Sequence, residues 1–135
     1  ADAAITWSEA MRIDSSGNLL VGTTSGSDKV TVNGTVSATN FNTTSDATLK
    51  TNVKTLSGSL DAVKSLRGVS FDWLDNDGSE IGVIAQEVEA VLPNVVSTND
   101  EGIKSVKYGN MVAVLIEAIK EQQLRIEALE AKLGE

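Results

Sequence analysis

The sequence predicts an α+β chain in three parts: a segment of short β-strands, a small mixed unit of helix and β-hairpins, and one long C-terminal helix. Three observations predict it. Residues 1–45 are rich in Gly, Ser, Thr, Asn and Val, with short runs in which apolar and polar residues alternate. Residues 46–107 mix helical spacing with alternation. Residues 108–133 carry a heptad-like apolar repeat, with neither Gly nor Pro between Asn110 and Leu133.

In the first part, Met11-Arg12-Ile13-Asp14 alternates, Ser15-Ser16-Gly17-Asn18 turns, and Leu19-Leu20-Val21 returns. A second turn, Gly22 to Asp28, leads into Lys29-Val30-Thr31-Val32. Asn33-Gly34 is a hairpin signal, so Thr35-Val36-Ser37-Ala38 is expected to pair back. Strands this short bury little alone, which favours winding around sister chains.

In the second part, Leu49, Val53, Leu56, Leu60, Val63 and Leu66 recur every three or four residues. That spacing predicts helix over most of the stretch, capped or interrupted near Ser57-Gly58-Ser59 and ended by Gly68. Val69 to Trp73 alternates as a strand, Asp75-Asn76-Asp77-Gly78 turns, and Ile81 to Ile84 returns. Ala85 to Leu92 is a short helix stopped by Pro93, the only proline. Val95-Val96 and Ile103 to Val106 make a further strand pair around Asn99-Asp100-Glu101-Gly102.

In the third part, Val112, Ile119, Ile126 and Leu133 fall at one heptad position and Leu115, Gln122 and Leu129 at the other. Arg125 then falls at g and Glu130 at the following e, a spacing suited to pairing between chains. Ile at a with Leu at d would favour two strands. The polar Gln122 can instead fix register and oligomer number, and the reading adopted is a trimeric coiled coil. A helix packed by its apolar face on its own domain fits the pattern equally.

Composition narrows the function. The chain has 135 residues, 41% hydrophobic and only 4% aromatic, so its core is aliphatic and small. Such chains often complete their cores by oligomerising. A formal net charge of -8 opposes phosphate-backbone binding and attraction to anionic membranes. No apolar run reaches the ~18 residues of a membrane span. The start, Ala1-Asp2-Ala3-Ala4, reads as an excised fragment rather than a signal peptide. With no Cys and no His, disulfides, Cys nucleophiles, His bases and most zinc sites are excluded.

Any catalysis must therefore use Ser, Thr, Lys, carboxylates or backbone. The candidate is Thr43-Thr44-Ser45-Asp46-Ala47-Thr48-Leu49-Lys50. A free lysine titrates at roughly 10.4, and burial lowers that value by favouring the neutral amine. A neutral Lys50 could take the proton of a Ser45 nucleophile, with N–H groups of the following helix start stabilising the oxyanion. The ordinary reading is an N-capping Ser45 or Asp46 beside a solvated Lys50, and isolated pairs of this kind are common.

The surrounding residues shift that balance. From Ser45 onward the chain resembles the intramolecular chaperone domain of phage tail fibres and endosialidase-type tailspikes, the peptidase S74 family. The matching stretches are Ser45 to Val53, Leu66 to Trp73, Ile81 to Glu89, Leu92-Pro93, Ser105 to Tyr108 and Leu115 to Glu121, in the family order. Met11 to Asn18 and Val32-Asn33-Gly34 look like the end of a fibre shaft. The resemblance implies residues 1–45 as shaft and 46–135 as chaperone, the latter divided into a mixed unit (46–107) and a coiled-coil helix (108–135). It implies a homotrimer that aligns the upstream shaft of the same polypeptide. A Ser45–Lys50 dyad would then cut at Ser45–Asp46 and release the chaperone. The family context is a virion fibre precursor assembled in the bacterial host cytoplasm, with no nucleic acid, membrane insertion or cofactor. Nothing here resembles a phosphate-binding loop.

The bond itself stays open. A serine Oγ attacking its own carbonyl needs a four-membered ring. Attack on the preceding carbonyl, at Thr44–Ser45, needs a five-membered one, and a serine from another chain avoids both. Elsewhere, Phe71 and Trp73 share a strand face and read as core anchors. Gln86-Glu87 opens a helix, and Asp75 to Glu80 lacks the spacing of a calcium loop. Two rivals remain: a trimerisation cap that never cuts, and a receptor-binding fibre tip.

Overall fold

A computed structural model describes residues 9–74 and 78–134 of the chain. They fall into two compact units, residues 9–51 with 99–102, and residues 52–74 and 78–98 with 103–134.

The first unit holds three short strands, β1 (Met11–Ile13), β2 (Leu19–Val21) and β3 (Val30–Val32). β1 pairs antiparallel with β2, and β3 joins the other edge of β2 in parallel. The turn between β1 and β2 is built by Asp14. Its carboxylate accepts the N–H groups of Ser16 and Asn18, each at 2.8 Å, and the Asn18 side-chain amide at 3.1 Å. Lys29 closes the same turn by donating to Ser16 O and Asn18 Oδ1. Leu20 is 1% exposed and is the chief buried side chain of this sheet.

The Asn33-Gly34 hairpin does not form. β3 is aligned in parallel, so Asn33 donates its N–H to Val21 O and its side-chain amide to Gly22 O. Thr35 to Ala38 carry no strand.

The second unit holds α1 (Ser59–Ser65), the hairpin β4 (Val69–Asp72) and β5 (Ser79–Gly82), α2 (Ala85–Val91), the pair β6 (Val96–Thr98) and β7 (Lys104–Val106), and α3 (Tyr108–Leu133). The long helix expected between 46 and 66 is reduced to a 3-10 turn at Ala47–Leu49 and the seven residues of α1. Between them the chain carries no regular structure, and Leu49, Val53 and Leu56 are exposed. Their helical spacing has no core to face within one chain, and propensity alone does not hold a short helix in water.

α1 also lacks the expected serine cap. Gly58 precedes it in the left-handed conformation and offers no side chain. The cap comes from α3: Glu121 accepts the N–H groups of Ser59 and Leu60 at 3.0 and 2.9 Å. This carboxylate satisfies two of the orphan donors that every helix start leaves. Val88 of α2, 1% exposed, is buried with Val95, Val114 and Ala118. Tyr108 pins the start of α3 by accepting the Val83 N–H at 3.2 Å. A Cβ on Gly82 would lie 2.7 Å from that hydroxyl, so a larger residue there would displace the tyrosine. Lys104 ties β7 to α2 through Glu89 at 2.9 Å. Val63, Leu66, Leu92, Met111, Val114 and Leu115 are among the residues that line an open apolar pocket of about 190 Å³.

Trp73 is 56% exposed, so it is not the expected core anchor; it meets Phe71 edge-on with centroids 5.2 Å apart. It follows the end of β4. The expected turn residues Asp75, Asn76 and Asp77 lie outside the described residues.

Hydrogen bonds from Leu60 and Ser59 hold the Glu121 carboxyl below its ordinary range of about 4.5. The sign follows from linkage: a depressed carboxyl stabilises the fold above its unfolded value and loses that contribution as pH falls through the folded value. Glu121→Gln should therefore lower the melting temperature at pH 7. The gap to the wild type should narrow steadily below pH ~4.5. Thermal unfolding of both proteins between pH 7 and pH 3 checks this.

Candidate active site

Ser45 precedes a tight turn whose geometry the local sequence dictates. Asp46 is extended, with φ -63 and ψ 137, and caps the 3-10 turn Ala47–Leu49. Its Oδ1 accepts the Thr48 N–H at 2.8 Å and the Thr48 hydroxyl at 2.6 Å. Leu49 N donates to Asp46 O and Lys50 N to Ala47 O. A 3-10 turn advances only about 2 Å per residue, so the long Lys50 side chain spans the distance back to Ser45.

It does so with two contacts. Lys50 Nζ lies 2.6 Å from Ser45 Oγ and 3.0 Å from Ser45 O. One amine thus touches both the candidate nucleophile and the carbonyl of the Ser45–Asp46 bond. As an ammonium it donates to both oxygens. As a neutral amine it can accept the Oγ proton. All of these residues are exposed in the single chain, so one chain does not bury the lysine.

The expected oxyanion donors are largely committed. The N–H groups of Thr48, Leu49 and Lys50 each have an acceptor within the turn. Asp46 is held below the usual carboxylate range by the Thr48 hydroxyl and backbone N–H.

The heptad residues are placed on one outward face. Ile119 is 65% exposed, and Val112, Leu115, Ile126, Leu129 and Leu133 are also exposed. α3 buries a different face, Val114 and Ala118, with Glu121. Of the heptad residues, Leu115 also borders the apolar pocket beside α1, whereas the others named here lie open in the single chain. Arg125 lies 3.4 Å from Asp61 of its own chain. Gln86-Glu87 acquires a definite role, since Glu87 receives a bidentate pair from Arg67 at 2.7 and 2.9 Å. Among the described residues no cluster of metal-ligating side chains occurs, and no helix is long and apolar enough to cross a membrane.

Residues 45–97 match the family model of peptidase S74, described as "Chaperone of endosialidase". The match begins at Ser45, the candidate nucleophile. The relatives extend the likeness beyond the segment. The chain is 34% identical over 107 residues to the long tail fiber protein Gp37 of Enterobacteria phage K3, covering 73% of this chain and 9% of that protein. It is similarly 34% identical to Gp37 of Enterobacteria phage T2, over 73% of this chain and 8% of that protein. Gp37 of Salmonella phage S16 is 31% identical over 113 residues, 76% of this chain and 15% of that protein. The chain therefore spans less than a sixth of the relatives it matches.

Proposed function

We propose that this chain is the assembly device of a phage tail fibre, which holds three chains in register and then cuts itself from the shaft with Ser45 and Lys50. The observation that carries the reading is the contact of Lys50 Nζ with both oxygens of Ser45, at the residue where the family match begins. The fibre relatives support the setting, and the outward heptad face supports assembly.

The physical need is kinetic. A shaft of strands as short as β1 to β3, which bury little within one chain, needs its chains in register before they cover one another, so unaided nucleation is slow. Three joined α3 helices raise the local concentration of the shafts and fix their alignment. Removing them afterwards leaves a shaft held by its own unfolding barrier.

The chemistry balances as a hydrolysis. Lys50 takes the Oγ proton of a Ser45, Oγ bonds to the carbonyl carbon, and the amine of the next residue leaves with that proton. Water then cleaves the ester and restores the serine. Attack by the Ser45 of a neighbouring chain cuts Ser45–Asp46. Attack within one chain on the Thr44 carbonyl cuts Thr44–Ser45. The contact of Nζ with Ser45 O favours the first, because it polarises the carbonyl of Ser45–Asp46. Neighbouring chains would also supply the burial that a single chain lacks.

A fibre fragment that includes the shaft, expressed with and without residues 46–135, tests the chaperone role. The longer form should give soluble trimers that resist dodecyl sulfate, and the shorter one aggregates. Equal yields of trimer from both would overturn it. The uncut cap is a second reading, favoured by the exposure of Ser45 and Lys50. A full-length mass that persists in assembled trimers would select it.

A further inference from the structure

We infer that Asp46 and Thr48 form a clasp that positions Lys50 on Ser45, making both of them positioning residues for the cut; this rests on the self-cleavage reading above. Ser45 and Lys50 are separated by a stretch with little else to order it. Residues 35–46 and 50–57 carry neither strand nor helix, and Leu49 and Val53 are exposed. A single 3-10 turn is marginal by itself. Two backbone bonds close it, Leu49 N–H to Asp46 O and Lys50 N–H to Ala47 O, and one carboxylate oxygen braces it by receiving both the N–H and the hydroxyl of Thr48. That brace holds the direction in which the chain leaves the turn, and hence where Lys50 begins.

The arrangement separates two jobs within four residues. Neither Asp46 nor Thr48 has a hydrogen bond to Ser45 Oγ or Lys50 Nζ, whose partners are each other and Ser45 O. The clasp fixes the angle of approach, and the dyad does the bond making. Displacing a reacting group by about 1 Å can cost 10²-fold in rate, so a loosened turn is expected to slow the cut while leaving assembly intact. Thr at position 48 suits this role because it supplies two donors to one acceptor. An aliphatic residue would supply only the backbone one.

Rates of self-cleavage are compared for Asp46→Ala, Asp46→Asn, Thr48→Val and Thr48→Ser beside the wild type and Ser45→Ala, with trimer content and melting temperature measured on each. Thr48→Val and Asp46→Ala should cut about ten- to a hundredfold more slowly at the unchanged bond. Thr48→Ser should restore the wild-type rate, and Asp46→Asn should remain within a few-fold because it keeps an acceptor oxygen. All should melt as trimers like the wild type. Position 48 is informative because it does not flank the scissile bond, so its effect is not one of cleavage-site preference. Wild-type rates in Thr48→Val, or a slow Thr48→Ser, would overturn the clasp. So would a rate loss that simply tracks a lowered melting temperature. A wild type as uncut as Ser45→Ala would overturn the underlying cleavage reading instead.

Discussion

Lys50→Ala should slow self-cleavage by about 10²- to 10⁴-fold, the usual contribution of a positioned general base. Ser45→Ala should abolish it, because no nucleophile remains. Both proteins should still assemble as the wild type does, since neither residue lies on the heptad face or packs in the core around Val88. Lys50→Arg is the more discriminating replacement. A guanidinium can still donate to Ser45 Oγ and O, but it does not give up its proton at any accessible pH. If Lys50 acts as base, Arg leaves the cut as slow as Ala does. If Lys50 serves only to polarise the Ser45 carbonyl, Arg retains much of the rate. The disappearance of the full-length band in a timed gel series reads all four proteins.

Charge on the heptad face should have the second large effect. Ile119→Asp or Ile126→Asp places a carboxylate in each chain at one level of the seam, where it is buried without a partner. The dissociation constant of the assembly should rise roughly a thousandfold or more, giving monomers at micromolar concentration in sedimentation velocity. Leu124→Asp is the control. Leu124 is 66% exposed, yet its heptad position is opposite the seam, so the assembly should survive it. If assembly completes the site, Ile119→Asp should also remain uncut, whereas Leu124→Asp should cut normally.

Much of the fold could be read from the sequence where periodicity and burial agree. The uninterrupted run to Leu133 is a helix of 26 residues, and Pro93 halts α2 as expected. Strands β4 to β7 fall where alternation placed them, within a residue or two. The failures share a physical cause. Leu49, Val53 and Leu56 have helical spacing, yet they stay exposed and outside any α-helix, because spacing makes a helix only when its apolar face has something to cover. Asn33-Gly34 failed as a hairpin because β3 found an edge of β2 in parallel, a pairing invisible to local turn chemistry. The cap of α1 was illegible for a different reason: its donor, Glu121, is 62 residues from Ser59.

Ser45 and Lys50 were legible as a pair but their contact was not. Two residues five apart are ordinary, and only the family likeness gave Ser45 and Lys50 their weight. The Asp46–Thr48 clasp was written in the same eight residues, as the common cap of an aspartate on the residue two positions on. Its meaning depended on seeing where Lys50 then arrives.

The most direct test of self-cleavage by an assembled chaperone is the denaturing mass of the purified protein, followed from the moment of assembly and compared with Ser45→Ala. Two fragments meeting between Ser45 and Asp46, absent from the mutant, are the predicted result. A single full-length mass in both proteins, persisting while both remain trimeric, would contradict it.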